Sequence, residues 1–154
     1  MKKLLYFLFL LPLGLLCSCG NDDLAPFDMT LTLSGVTQVD GTFYAVSGDN
    51  VSIQNLTVNP VGGKATTMSN VLFYIDGYLL FPNPWSIDGV FSFSTTNLSP
   101  GAHTIGVSGN ILQEDKSVQT FAANYTLVIA KDMESLPEGA PELGSYSETV
   151  SFSK

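Results

Sequence analysis

From Met29 to Ile129 the chain repeats every second residue. Met29, Leu31 and Leu33 alternate with Thr30, Thr32 and Ser34. Val51 and Ile53 alternate with Ser52 and Gln54, and Leu56 and Val58 continue one residue out of phase. Val71, Phe73 and Ile75 repeat the pattern, as do Phe91 and Phe93, then His103, Ile105 and Val107, then Tyr125, Leu127 and Ile129. Successive side chains of a strand point to opposite faces, so this period builds strands with one buried face. The phase change predicts a bulge near Asn55. No amphipathic pattern longer than one helical turn interrupts it.

Turn chemistry separates these runs. Asp40-Gly41, Asp76-Gly77 and Asp88-Gly89 are the dipeptide favoured in type I′ hairpins. Ser47-Gly48-Asp49-Asn50 and Ser99-Pro100-Gly101 are further turns. Short strands at even spacing with such turns predict an all-β protein of the antiparallel β-sandwich kind.

The first 18 residues follow another logic. Lys2 and Lys3 precede Leu4 to Leu16, which is apolar apart from Pro12 and Gly14. As a helix this stretch reaches only about 20 Å, short of the roughly 30 Å hydrocarbon core, and it fits the apolar region of a signal peptide. The following Leu16-Cys17-Ser18-Cys19 resembles the lipobox of bacterial lipoproteins, with Leu16 and Ser18 in the places that mark Cys19. The resemblance implies cleavage before Cys19, a diacylglyceryl group on its thiol and acylation of the new amino terminus. Two or more such chains hold a protein stably at a membrane. Gly20-Asn21-Asp22-Asp23 resembles the acidic surface-export signal of Bacteroidetes-type lipoproteins. It implies an outer-membrane position facing the cell exterior.

The expected organisation is therefore a signal peptide over 1–18, a lipidated cysteine and acidic linker over 19–28, a β-sandwich over 29–131 and an acidic tail over 132–154. With the leader removed, Lys64, Lys116, Lys131 and Lys154 face fourteen acidic side chains, a formal charge of −10 with no arginine. Phosphate backbones are bound by Lys/Arg patches, which excludes nucleic acid as an expected partner. With Cys19 acylated no disulfide is available, and the fold rests on its core. The ordered part is of a size to bury one ordinary core.

Val71-Leu72-Phe73-Tyr74-Ile75-Asp76-Gly77 looks like the middle hairpin of bacterial immunoglobulin-like domains. Leu98-Ser99-Pro100-Gly101-Ala102-His103-Thr104-Ile105 resembles their corner, a leucine, a Pro-Gly turn and then a strand. The resemblance covers roughly residues 29–131 and implies an immunoglobulin-like sandwich. It departs from the antibody pattern in lacking the cysteine pair, and Trp85 is off the middle strand. Such a fold hosts many functions.

After Lys131 the composition turns acidic and rich in proline and glycine, as in a solvated tail. Tyr146 to Phe152 alternates again. It reads either as a last edge strand or as a frayed terminus, and the composition favours the frayed terminus.

Candidate chemistry is sparse. His103, the only histidine, sits after the Pro-Gly turn, where a corner side chain bonded to backbone is expected rather than a ligand or base. Zinc sites need several His or Cys ligands, so no metal or other cofactor is expected. Calcium has only the acidic loops at Asp49-Asn50 and Asn110–Asp115 to bind. There is no Gly-x-Ser-x-Gly elbow, and Asp76 and Asp88 are explained by their turns, so no enzyme and no catalytic residue is expected. The best binding candidates are Tyr78, Phe81 and Trp85, in an aromatic stretch held open by Pro82 and Pro84. Such rings stack on sugars or anchor protein partners. The alternative is that Phe81 and Trp85 close the core, and for Trp85 core packing is favoured. The expectation is a non-catalytic, membrane-tethered surface module for glycan or protein, with strand addition through the C-terminal tail as the other reading.

Overall fold

The computed structural model describes residues 26–61, 66–80, 91–113 and 118–152. Cys19, Phe81, Trp85 and the Asp88-Gly89 pair lie outside them. The described residues are all-β, with strands β1 (Phe27–Val39), β2 (Thr42–Val46), β3 (Asn50–Pro60), β4 (Thr66–Ile75), β5 (Tyr78–Leu79), β6 (Phe91–Ser94), β7 (Gly101–Gln113), β8 (Val118–Ala130) and β9 (Gly144–Phe152). Two short 3-10 turns, Thr95–Asn97 and Met133–Ser135, are the only helical elements among them. None is long and apolar enough to cross a membrane.

The strands form one curled sheet in the order β5-β4-β7-β8-β2-β1-β3-β6, with β9 on β1. Strand β1 is its junction. Its first part lies between β3 and β9, and its end, Thr37 to Val39, turns to pair with β2. The change happens at Gly35, whose φ is +77°. A Cβ there would run into the carbonyl oxygen of Asn50, so only glycine allows the bend.

The Asp40-Gly41 and Asp76-Gly77 turns form as their dipeptides predict, with positive φ at all four residues. The bulge expected near Asn55 is present. Thr32 pairs with Asn55 and Leu33 with Ile53, leaving Gln54 as the extra residue.

Three expectations need correction. One pair, β2 with β8, runs parallel, because the β1–β2 hairpin returns beside the last long strand in the same direction. The acidic segment Asn110–Asp115, expected as a loop, is strand as far as Gln113. A second bulge lies beside it: Ser69 pairs with Asn110 and Leu72 with Ser108, with Asn70 at φ +53°. This shifts the apolar phase from Met68 to Val71. Finally, residues 144–152 are not frayed. They pair with β1 from Phe27↔Phe152 to Val36↔Gly144. Tyr146, Val150 and Phe152 pack against the core, and Phe152 stacks on Phe27 with ring centroids 4.5 Å apart.

One apolar cluster holds both halves of the sheet together. Met29, Leu31, Leu33, Val51 and Ile53 meet Phe73, Ile105, Val107, Leu127 and Ile129. Each such side chain, fully buried, contributes about 1.5–3 kcal/mol. Tyr125 crosses between the halves. Its hydroxyl donates to the carbonyl of Met29 at 3.1 Å. Burial, with Glu148 nearby, pushes its phenol above the ordinary range.

The register fixes the two ends of the molecule. Phe27 pairs with Pro60, so β1 begins where β3 ends, and β4 starts six residues after Pro60. From there β4 runs ten residues to Ile75, roughly 33 Å at a strand's rise per residue. The Asp76-Gly77 turn and β5 are thus at the end remote from Phe27.

Candidate functional site

Tyr78 is the one predicted binding residue among the described residues, and it projects from the remote end. It is 79% exposed, the most exposed large apolar or aromatic side chain among the described residues. Backbone pairing accounts for its position. Ile75 pairs with Tyr78 and Tyr74 with Leu79 across the turn, and the amide of Leu80 donates to the carbonyl of Phe73 at 2.8 Å. Leu80 then turns inward against the core while Leu79 stays exposed. Phe81 and Trp85 belong to the segment outside the described residues.

Tyr78 shares the face of its partner Ile75, and on the opposite face the register presents an aromatic side chain that the sequence did not single out. Leu79, Tyr74, Gly106 and Asn124 form one row across β5, β4, β7 and β8. They lie on the outer face, since their neighbours Phe73, Ile75, Ile105 and Tyr125 fill the core. Gly106 leaves a shallow gap in the row. A Cβ there would stand 3.4 Å from Cβ of Tyr74 and 3.5 Å from Oδ1 of Asn124. Ser108 donates to the Tyr74 hydroxyl at 3.4 Å. The flanking residues Leu72, Thr104, Ala122 and Thr126 carry no charge, and Asp76, bonded to Thr104, borders them.

His103 and Asp76 hold the turn. His103 is buried, and its Nδ1 donates to Oδ2 of Asp76 at 2.6 Å. Its Nε2 faces the carbonyl of Ser99 at 2.7 Å. The other carboxylate oxygen of Asp76 accepts from the amide of Thr104 at 2.9 Å, and the Asp76 amide donates to the Thr104 carbonyl at 2.9 Å. The expected backbone bond of a corner histidine is thus present, and Asp76 is the partner that sequence reasoning missed. Its place before glycine already accounted for it, so nothing in the pattern pointed to a second role.

The electrostatics follow from these contacts. The Ser99 carbonyl, then the Asp76 carboxylate, push the His103 ring above its usual range, against the opposing effect of burial. The His103 hydrogen bond, then the Thr104 amide, hold the Asp76 carboxyl below its usual range. Both ring nitrogens face acceptors, and only the doubly protonated imidazolium supplies a hydrogen to each.

Among the described residues no group of three or more His, Cys, Asp or Glu is placed to hold a metal ion. Glu148 lies on the partly buried edge strand β9 and accepts from Nε2 of Gln38 at 2.6 Å. Asp132 caps the turn that follows β8, accepting from the amide of Ser135 at 2.9 Å. The hydrogen bonds from Ser135 hold its carboxyl below the ordinary range.

No protein-family description, no curated protein and no solved structure matches this chain.

Proposed function

We propose that this is a non-catalytic binding module, tethered through a lipidated Cys19 to the outer membrane and facing the cell exterior, which takes glycan or protein at the Tyr78 end. The observation that carries the reading is the exposure of Tyr78 on a turn remote from Phe27. A tether leading into Phe27 puts that turn on the far side of the domain from the membrane. The Tyr78 ring offers an exposed stacking face for a sugar or a protein partner.

The strand order supports an immunoglobulin-like sandwich. Strands β1, β3 and β6 neighbour one another on one side, and β4, β7 and β8 on the other, as the corresponding strands do in that fold. Strand β9 is an addition to that plan.

The test is direct. Intact cells displaying the full chain are probed with neutral and acidic oligosaccharide arrays and with extracellular proteins. Binding of a saccharide or protein that Tyr78→Ala abolishes supports the reading. Binding that survives this substitution in a folded protein removes this site. A Cys19→Ala chain recovered in the same membrane fraction, with no fatty acid in the parent chain, removes the anchor.

A second reading is favoured by β9, which pairs with one strand only, after the strand-free connection 131–143. A strand so attached can be given to β1 of another copy, with the same contacts. Deleting residues 132–154 then abolishes self-association. A full chain that sediments as a monomer at high concentration rules this out.

A further inference from the structure

We infer that His103 and Asp76 are positioning residues for the Tyr78 face, and that the imidazolium form of His103 locks the β4–β5 turn to the Ser99 corner and releases it on losing a proton. The inference rests on the proposed role of the Tyr78 end and adds its regulation.

The geometry requires a charged ring for the complete set of contacts. At 2.6 Å and 2.7 Å, both imidazole nitrogens stand at hydrogen-bonding distance from an oxygen. The Asp76 carboxylate and the Ser99 carbonyl have no hydrogen to give, so a neutral ring, with one N–H, can satisfy one of them. Either loss matters to the turn. Losing the Asp76 bond leaves the residue that starts the turn, two positions before Tyr78, held only to Thr104. Losing the Ser99 bond detaches the histidine from the corner that steadies it.

The turn has little else to hold it. Asp76 sits at φ +50° and Gly77 at φ +81°, both in the left-handed region. Strand β5 is two residues long, and both of its side chains are exposed. The remaining ties are backbone bonds from Asp76 to Thr104 and from Leu80 to Phe73, the Thr104 amide on the other Asp76 oxygen, and Leu80 against the core. By contrast, the side chains around His103 on its own sheet are fixed by the core, including its register partner Leu127 on β8.

No other charge competes for this switch among the described residues. Asp76, from the β4–β5 turn, is the only ionisable group acting on His103. Ser99 contributes a carbonyl from the preceding corner, and β8 contributes Leu127. His103 is the only histidine in the chain. It is therefore the side chain whose ordinary titration range lies nearest neutral pH.

The direction is fixed by the contacts. The lock is closed on the acid side of neutrality and opens as the pH rises through the value His103 has in the fold. A mildly acidic surface favours a fixed Tyr78, and an alkaline one a mobile Tyr78.

The experiment is an NMR titration of the full chain in detergent micelles from pH 5 to 9, with histidine ring carbons and backbone nitrogens labelled. One histidine gives one ring signal. The expected result is a His103 midpoint above 6.5, followed at the same midpoint by the Gly77 and Tyr78 amides. In Asp76→Asn, whose side chain keeps the turn's shape and tolerates positive φ, the His103 midpoint falls. In His103→Gln, the Gly77 and Tyr78 amides no longer titrate over this range. A His103 midpoint at or below 6.5, or amides that ignore it, overturns the inference. The readout uses no ligand. A Tyr78→Ala chain that still binds its saccharide or protein therefore overturns the site and leaves the titration result standing.

Discussion

Strands β9 and β5 are both additions to the rim of the sheet, and they are held by opposite means. Strand β9 is nine residues long and pairs along β1 from end to end. Its inner face carries Tyr146, Val150 and Phe152 into the core margin, and its outer face bonds Thr149 to Thr30 and Ser147 to Thr32 through hydroxyls at 2.8 Å. Strand β5 has two residues, both exposed, and a histidine–carboxylate contact behind its turn. Burial over many residues gives a margin that no single proton controls. A short strand with one ionic contact behind its turn gives a margin that a single proton can loosen. An exposed aromatic side chain is therefore presented where the fold is least committed, at the end remote from Phe27.

The largest effect should come from removing the well-held rim. Deleting residues 144–154 uncovers Phe27 and the core margin along β1. Three half-buried side chains together contribute on the order of 4 kcal/mol, a large share of a small domain's stability. Thermal unfolding followed by circular dichroism should show a much lower midpoint or no cooperative transition. A midpoint within a few degrees of the parent would mean that β9 is only laid on the sheet, and the contrast with β5 would vanish.

Phe152→Ala sharpens the same point at one residue. It removes the ring stacked on Phe27. Deletion of a buried phenylalanine costs about 3–5 kcal/mol, and a half-buried one should cost about 2 kcal/mol. Denaturant unfolding checks it. A cost near zero would place the holding energy of β9 in its backbone pairing alone.

The sequence made the strands legible where one face is buried and the phase is unbroken. Met29 to Leu33, Val51 to Ile53 and Tyr125 to Ile129 read directly, and the bulge near Asn55 showed itself as a phase change. It failed where phase and composition misled. The bulge at Asn70 disguised the start of β4, and Gly109 removed a beat from β7 before Ile111. The acidic, proline-containing connection 131–143 made β9 resemble a frayed end, although its own alternation was present. Pairing with β1 is a long-range fact, and local pattern does not carry it. The site was half legible. Tyr78 stood out as an aromatic residue after a turn, and His103 as a corner histidine. The Asp76–His103 contact joins residues 27 positions apart, and the row through Tyr74 and Asn124 exists only once four strands are in register.

The lock behind β5 should show an effect of intermediate size that depends on pH. His103→Gln loses a hydrogen bond between charged groups, which costs about 2 kcal/mol, less where the 41% exposed Asp76 is screened by water. The sign follows from the two shifts. The raised value of His103 stabilises fully below 6.5 and is lost as the pH rises through its value in the fold. The lowered value of Asp76 stabilises fully above 3.8 and is lost as the pH falls through its own depressed value. Both contributions are complete only between 3.8 and 6.5. Unfolding midpoints of parent and His103→Gln should differ most in that window and converge toward pH 9. A gap that is constant with pH would mean that His103 acts by packing alone.

Tyr78→Ala should have the smallest effect on stability and, on the proposed reading, the largest on binding. At 79% exposure the ring withdraws little surface from water. Surface substitutions of this kind usually change stability by less than about 0.5 kcal/mol. The backbone pairing of Ile75 with Tyr78 does not depend on the ring. A measured cost above about 1 kcal/mol would show that the ring packs on the domain, which would make it a structural part like those of β9. An unchanged unfolding midpoint, joined to lost saccharide or protein binding, would separate the two rims completely. Strand β9 would then be the margin that keeps the fold closed, and β5 the margin that leaves an aromatic face free to be used.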